Sequence, residues 1–267
     1  MIGGYIQNYA LMIAGRVIFG LGGESLQVAQ CTIVSVWFRG QELNFAMGLT
    51  LSISQLGSVV NGWILPSLFE DYGLGAALLV GFIVCLIAFL AAYLLCYLDR
   101  RADGYSVEDR INEEDKFNIR DIRYFGFSFW MLALTNWFIY MSVFPYIQNV
   151  SKLLIDKYNF DDRHAAILFG VPYIVSAVIS PIFGLVGDKC GKRVQLIMAS
   201  NLILILAFFI SMVLPGCPDE GTCYYEFAPL LFVGIGYAIY LAVFWGSIPL
   251  TVEKQSVGTA FGICQSF

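Results

Sequence analysis

The chain is short of what water-soluble chemistry uses. Only 13% of its 267 residues are charged, where a soluble domain carries about 25%. A single histidine, His164, excludes a multi-histidine metal centre, and neither metal nor cofactor is expected. With so few charges and no basic stripe, a nucleic-acid binder is excluded as well. The paired membrane aspartates of an intramembrane protease are lacking, since the nearest match, Asp188, lies in a basic turn. The stretch after Met1 has no charged n-region and reads as part of a helix, not as a secretory leader. What is present is apolar: 58% of residues are hydrophobic and mean hydropathy is +0.73. That composition excludes a disordered chain and an ordinary soluble enzyme, and it indicates an all-α, multi-span membrane protein. The net charge of −5 adds little, because the charges cluster between apolar runs.

A membrane-spanning helix needs about 20 largely apolar residues. Seven segments qualify: 9–37, 43–66, 74–98, 124–147, 163–187, 194–214 and 227–251. The ends, 1–7 and 257–267, read as pieces of two further helices. Connection 99–122, with 13 charged residues of both signs, is the longest. It divides the chain into an N-terminal helical half (1–98), a linker (99–122) and a C-terminal helical half (123–267).

Lys and Arg in the connections give the orientation. Loops 38–42, 99–123, 188–193 and 252–256 together hold eleven of the 15 cations. The opposite loops hold Lys152, Lys157 and Arg163, and Arg16 lies within a helix. The basic side is read as cytoplasmic and the other as lumenal or extracellular.

Shifting the chain by 214 residues without gaps superposes Gly20 on Gly234, Gly22 on Gly236, Gln41 on Gln255, Ala46 on Ala260, Gly48 on Gly262 and Ser52 on Ser266. Helix falls on helix and loop on loop, with the same orientation. This is a parallel repeat, one of the plans on which transporters are built. Extended over the chain, it predicts roughly 90 further residues in front and roughly 45 behind. The seven spans are then the fourth to tenth of twelve, with the third and eleventh partial.

The residues now reached resemble the major facilitator superfamily. Gly184-Leu-Val-Gly187-Asp188-Lys189-Cys-Gly191-Lys192-Arg193 resembles its cytoplasmic loop signature, and Arg16-x-x-x-Gly20-x-Gly22 resembles its fourth-helix signature. In the loop, Gly187 and Gly191 permit a tight turn. Asp188 can accept from a neighbouring helix N-terminus and pair with the cations, latching one conformation on the cytoplasmic side. Gly22-Gly23-Glu24-Ser25-Leu26, Trp37-Phe38-Arg39-Gly40, Val143-Phe144-Pro145-Tyr146 and Gly258-Thr259-Ala260 resemble the lysosomal dipeptide uniporter branch. That resemblance implies facilitated export of dipeptides from the lysosome by alternating access. It also implies a glycosylated single-pass accessory membrane protein as partner.

Carriers of this kind bind substrate near the bilayer midplane, between the halves. Polar residues at span midpoints are Glu24, Gln55, Asn136 and Tyr240. A mid-bilayer carboxylate costs about 2.5–3.5 kcal/mol on insertion scales, so Glu24 is expected to face a cavity or a partner. Gly20, Glu24 and Gln27 share one helical stripe. Glu24 can hold a peptide α-ammonium. The other reading is a structural pair with Arg16, about 12 Å away along the helix, and Arg16 itself reads as structural. Gln55 departs from the branch, where the resemblance leads one to expect an arginine taking the α-carboxylate. Gln55 donates two hydrogen bonds without charge and shares a face with Ser52. Tyr140 shares a face with Asn136, while Tyr237, Tyr240 and Trp245 offer aromatic walls that suit side chains and an ammonium. Tyr173 and Ser176 are weaker members of the same set. Pro66, Pro145, Pro172, Pro181 and Pro249 are expected to kink spans.

Cys217 and Cys223 share a lumenal loop, where a disulfide is one expectation. Asn149-Val150-Ser151 is a glycosylation sequon close to the membrane. Glu226-x-x-x-Leu230-Leu231 has the form of an acidic sorting signal but lies on the wrong side of the membrane. The leading function is a dipeptide or small-peptide carrier. The alternatives are a carrier of another small zwitterion or organic anion, or a truncated, non-transporting interaction protein.

Overall fold

The computed structural model describes residues 9–38, 42–103, 122–123, 125–217, 223–253 and 256–266. Among the described residues eight α-helices follow one another: α1 (Tyr9–Trp37), α2 (Leu43–Asp103), α3 (Phe127–Tyr158), α4 (Asp162–Phe169), α5 (Val171–Cys190), α6 (Arg193–Val213), α7 (Phe227–Ser247) and α8 (Val257–Ser266). Among the described residues there is no strand, as backbone groups in lipid require unless a barrel closes. Seven stretches of the described residues are long and apolar enough to cross a membrane: Tyr9–Trp37, Leu43–Phe69, Asp71–Leu98, Phe127–Tyr158, His164–Cys190, Arg193–Val213 and Tyr224–Leu250. They coincide with the seven spans read from composition, with differences at their ends.

The second and third spans are two helical stretches of α2 that meet at a kink at Gly73, whose φ of 77° is in the left-handed region. Glycine takes that conformation without a Cβ clash, so one residue separates two membrane crossings. The fourth span runs eleven residues past the expected end at 147. Val150, Leu154 and Tyr158 recur every fourth residue and are buried against Ala165, Leu168 and Leu230. The intervening Lys152, Asp156 and Lys157 lower the hydropathy of this stretch without interrupting its helical stripe. The fifth span is divided at Gly170 into α4 and α5, with Pro172 in the first turn of α5, where its missing N–H costs nothing. Helices α3 and α5 continue through Pro145 and Pro181. Pro249 belongs to the 3₁₀ turn Ile248–Leu250 that ends the seventh span. The linker's first residues, 99–103, extend α2, and residues 104–121 lie outside the described residues, as do Arg39 and Lys254.

The chain divides into two compact units. The first comprises Met1–Glu24 and Ile64–Ile119, the second Ser25–Trp63 and Arg120–Phe267. In the first, the span Asp71–Leu98 has none of its most apolar window buried and exposes side chains such as Phe89 and Tyr93, a surface of the kind a bilayer covers. The second unit is built around α7. From Gly236 through Ser247 every residue of α7 is buried, which is what an all-round apolar helix signifies.

Helices α5 and α6 both pack on α7, and two glycines let them approach. A Cβ at Gly234 would stand 2.8 Å from Val175 Cβ, and one at Gly236 would stand 2.9 Å from Leu204 Cγ. These are the residues that the repeat superposes on Gly20 and Gly22. In a bilayer, close packing of small residues supplies cohesion that the hydrophobic effect cannot.

Candidate functional site

The basic turn of the loop signature is built from the C-terminal end of α5, the turn after it and the N-terminal end of α2. Asp188 accepts the backbone N–H of Asn44 at 3.2 Å on Oδ1 and that of Phe45 at 2.9 Å on Oδ2. Those two amides open α2 and have no intrahelical acceptor, and the negative charge suits the positive end of the helix. Arg193 Nη2 lies 3.5 Å from Asp188 Oδ1. Lys189 and Lys192 are exposed, so Arg193 is the signature cation that forms the pair.

The glycines divide the remaining work. Gly191 has φ of 64°, and its N–H closes α5 on the Gly187 carbonyl at 3.2 Å. Gly187 does not shape the turn. It lies inside α5, where a Cβ would come within 3.1 Å of Asn44 Nδ2. At Gly184 a Cβ would lie 2.6 Å from the Asn44 carbonyl oxygen and 2.9 Å from Phe45 Cα. Asn44 is fully buried, its side chain seated in a notch bounded by Gly187 and Gly246. The crossing of α2 on α5 continues inward in small residues. A Cβ at Gly48 would meet the Ser180 carbonyl oxygen at 2.7 Å, and the Ser52 hydroxyl donates to the Ala177 carbonyl. Ser52 thus joins two helices rather than facing a cavity.

Deeper in the second unit, six of the polar and aromatic residues picked out from the sequence lie close together. Tyr240 donates its hydroxyl proton to Asn136 Oδ1 at 2.7 Å, and Asn136 Nδ2 donates to the Cys264 carbonyl at 2.8 Å. This chain of bonds ties α7 to α3 and α3 to α8. Asn136 and Tyr240 are 1% and 0% exposed, so both act as wall rather than as free ligand arms. Beside them the Tyr237 hydroxyl lies near the side chains of Tyr140, Gln55 and Tyr173. Tyr140 stacks on Phe144 at 5.0 Å and meets Tyr237 edge-on at 6.5 Å. Helices α2, α3, α5 and α7 therefore contribute one uncharged cluster of hydroxyls and an amide inside an apolar bundle. Such a cluster can donate and accept toward a polar solute without supplying charge.

Other sequence-derived residues are placed differently. Trp245 packs in the core, 5.9 Å from Phe261 and 5.5 Å from Phe244. It is 1% exposed and belongs to that aromatic cluster. Gln27 is half-buried on α1 within the second unit. Arg16, Gly20, Gly22 and Glu24 lie on α1 within the first unit, where Arg16 and Glu24 are exposed. Asn149 lies on helix α3, its amide donating to the Pro145 carbonyl at 2.8 Å. The sequon is thus not in the surface loop that glycosylation favours. Cys217 and Cys223 are joined in a disulfide with Cα atoms 5.8 Å apart. No His, Cys, Asp and Glu cluster able to hold a metal ion occurs among the described residues. Two residues escaped the sequence reading. Asn44 and Glu226 are both fully buried, and the only sequence signal was a polar residue at the edge of an apolar span.

Membrane-length helices crossing through small residues around a polar interior, with a carboxylate-latched basic turn, define a multi-pass membrane protein of the carrier type. The chain belongs to the Major Facilitator Superfamily, whose pattern matches residues 1–267. Its curated relatives include the lysosomal dipeptide transporter MFSD1 of Gallus gallus, 33% identical over 99% of this chain and 60% of that protein. The lysosomal dipeptide transporter MFSD1 of Homo sapiens is 31% identical over 99% of this chain and 57% of its own length. A probable nitrate transporter of Staphylococcus carnosus is 23% identical over 95% of this chain and 60% of its own. The chain thus spans about 57–60% of the length of the curated relatives it matches. No solved structure matches it.

Proposed function

We propose that the protein is a carrier, not an enzyme, that moves dipeptides or small peptides across the lysosomal membrane by alternating access as a uniporter. The observation that carries this reading is the uncharged cluster of Gln55, Tyr140 and Tyr237 on three helices of a chain resembling dipeptide carriers over 99% of its length. In this scheme Glu24, with Gln27 on the same stripe, holds the peptide ammonium by charge-assisted hydrogen bonds. Gln55 and the tyrosine hydroxyls take the carboxylate end by neutral hydrogen bonds, which are weaker than an ionic bidentate pair. Asn136 and Tyr240 fix the helices that form the wall. The Asp188 latch holds the cytoplasmic side closed while the opposite side loads. A glycosylated single-pass accessory protein is the proposed partner.

The test is thermal unfolding of the whole protein in nanodiscs, with ligand stabilisation read as a rise in Tm. Dipeptides should raise Tm, and free amino acids at the same concentration should not. Stabilisation by nitrate or a small organic acid, with none by dipeptides, would overturn this reading in favour of an anion carrier. That second reading has one observation behind it, the absence of a charged group at Gln55.

A further inference from the structure

Of the two fully buried polar residues that the sequence did not announce, Glu226 has its partners. Its carboxylate accepts the Tyr146 hydroxyl at 2.8 Å, the Tyr158 hydroxyl at 2.9 Å and the Ser211 hydroxyl. Asn44 differs. Its backbone N–H goes to Asp188, but neither Oδ1 nor Nδ2 of its side chain meets a hydrogen-bond partner among the described residues. The amide is held by fit against α7 instead. A Cβ built at Gly246 would overlap Asn44 Oδ1 and stand 2.8 Å from its Cγ, so only glycine leaves the side chain its place. A buried, unpaired amide costs free energy, and water can satisfy it only when α2 and α7 part.

The repeat gives this contact a counterpart. The shift that superposes Gly48 on Gly262 also puts Thr32 on Gly246, Leu43 on Val257 and Asn44 on Gly258. Parallel halves are exchanged by a two-fold axis, so a contact of Asn44 with Gly246 should return as a contact of Gly258 with Thr32. It does: a Cβ at Gly258 would stand 3.5 Å from Thr32 Oγ1 and 3.9 Å from Thr32 Cγ2. The buried faces repeat as well. Leu43, Ala46 and Met47 at the start of α2 are buried, and so are Val257, Ala260 and Phe261 at the start of α8. All of these residues belong to the second unit. The two crossings are filled differently, since α2 sets a side chain into a glycine notch of α7 while α8 offers α1 only a glycine.

We propose that the α2–α7 and α1–α8 crossings form one gate on the side read as cytoplasmic, opening and closing together, and that the fit of Asn44 against Gly246 decides its closure. The chain itself couples the two. Residues 38–42 are all that separate α1 from α2, and α7 leads to α8 through the turn Ile248–Leu250 and six further residues. Trp245 of α7 also stacks on Phe261 of α8 at 5.9 Å. Each helix of one crossing is thus tied to a helix of the other. Asn44 is a positioning residue in this gate and touches no solute. The inference holds whichever solute is carried. Its test measures no transport, so it can fail while the dipeptide reading stands, and the reverse.

The readout is placed at the other crossing. Val257, 6% exposed, is replaced by cysteine, and maleimide labelling of the whole protein is followed on the peptide that carries residue 257, because Cys85, Cys96 and Cys190 are also free and exposed. Val257→Cys alone should label slowly. Gly246→Ala puts a methyl where Asn44 Oδ1 sits and should accelerate labelling by about fivefold or more, the lower end of what overpacking produces. Adding Asn44→Ala removes Oδ1 and Cγ and leaves Cα of residue 44, at 3.1 Å, as the nearest of the three contacts. The rate should return to within about twofold of Val257→Cys alone, a coupling that independent losses would not show. Gly258→Ala, read at Leu43→Cys, should change nothing, because its methyl meets Thr32 at an ordinary distance. A merely local packing role would loosen residue 43 without reaching residue 257. The proposal is overturned if Gly246→Ala leaves residue 257 as slow as before, if the double variant labels as fast as Gly246→Ala, or if Gly258→Ala accelerates labelling at residue 43. If Gly246→Ala does not fold, Asn44→Gln replaces it, since its extra methylene overfills the same notch: faster labelling at residue 257 supports the gate, and an unchanged rate overturns it.

Discussion

Replacing Gly184 by alanine adds one methyl group where backbone faces backbone. The new Cβ would stand 2.6 Å from the Asn44 carbonyl oxygen and 2.9 Å from the Asn44 carbonyl carbon and Phe45 Cα. Ordinary van der Waals contact begins near 3.4 Å, so α2 and α5 must separate locally by about 0.8 Å, since neither partner is a side chain able to swing aside. Overpacking of this kind costs about 1–3 kcal/mol. The Asp188 bonds to Asn44 and Phe45 lie one turn further along the same contact and stretch with it. The cost falls on the state in which the two helices touch. In an equilibrium between latched and unlatched states, 1–3 kcal/mol is a shift of about 5- to 150-fold toward the unlatched one. Leu43, 4% exposed at the start of α2, reports it. Alkylation of Leu43→Cys by a maleimide, read on the peptide that carries residue 43 because Cys85, Cys96 and Cys190 are also free and exposed, should be slow. With Gly184→Ala added, it should accelerate by a factor within that range. An unchanged rate would show that α2 and α5 do not part at this point, and the latch would be discarded as a conformational element.

Asp188→Asn should act in the same direction, because it deletes the pairing with Arg193 and replaces one acceptor oxygen facing the α2 amides by a donor. Charge-assisted bonds of this kind are worth about 1.5–3 kcal/mol, so Leu43→Cys should again label faster, and equal rates would contradict the assigned role of the carboxylate. Tyr240→Phe leaves Asn136 Oδ1 buried without its donor. Interhelical bonds in membranes average well under 2 kcal/mol, so a loss of about 1 kcal/mol and a fall in Tm of about 2–4 °C are expected. A Tm equal to wild type would mean that the Tyr240–Asn136 bond holds nothing.

The spans were legible because crossing a bilayer demands a length of apolar sequence that few other elements need. The latch was legible because its parts are adjacent in sequence: Asp188, Gly191 and Arg193 fall within six residues. Gln55, Asn136 and Tyr240 could be picked out by depth along their helices and Tyr140 by its face shared with Asn136, and they lie close together. Depth says nothing about rotation, however. That is why Trp245 turned out to be packing against Phe261, and why Ser52 bonds across to Ala177. The notch around Asn44 was illegible because its walls, Gly187 and Gly246, come from helices 59 residues apart in sequence. Residues 148–158 of α3 were lost among lysines that interrupt the hydropathy but not the helix. Glu226 looked like part of a sorting motif because nothing local announces that Tyr146, Tyr158 and Ser211 converge on it.

The central claim, a dipeptide carrier with Glu24 at the ammonium site, is tested most directly by uptake of a labelled dipeptide into proteoliposomes containing the whole protein. The wild type should equilibrate the dipeptide without an imposed gradient, unlabelled dipeptides should compete, and Glu24→Gln should cut uptake by about tenfold or more, the worth of one charge-assisted bond. Uptake that ignores Glu24→Gln, or a protein that moves nitrate or organic acids but no dipeptide, would contradict it.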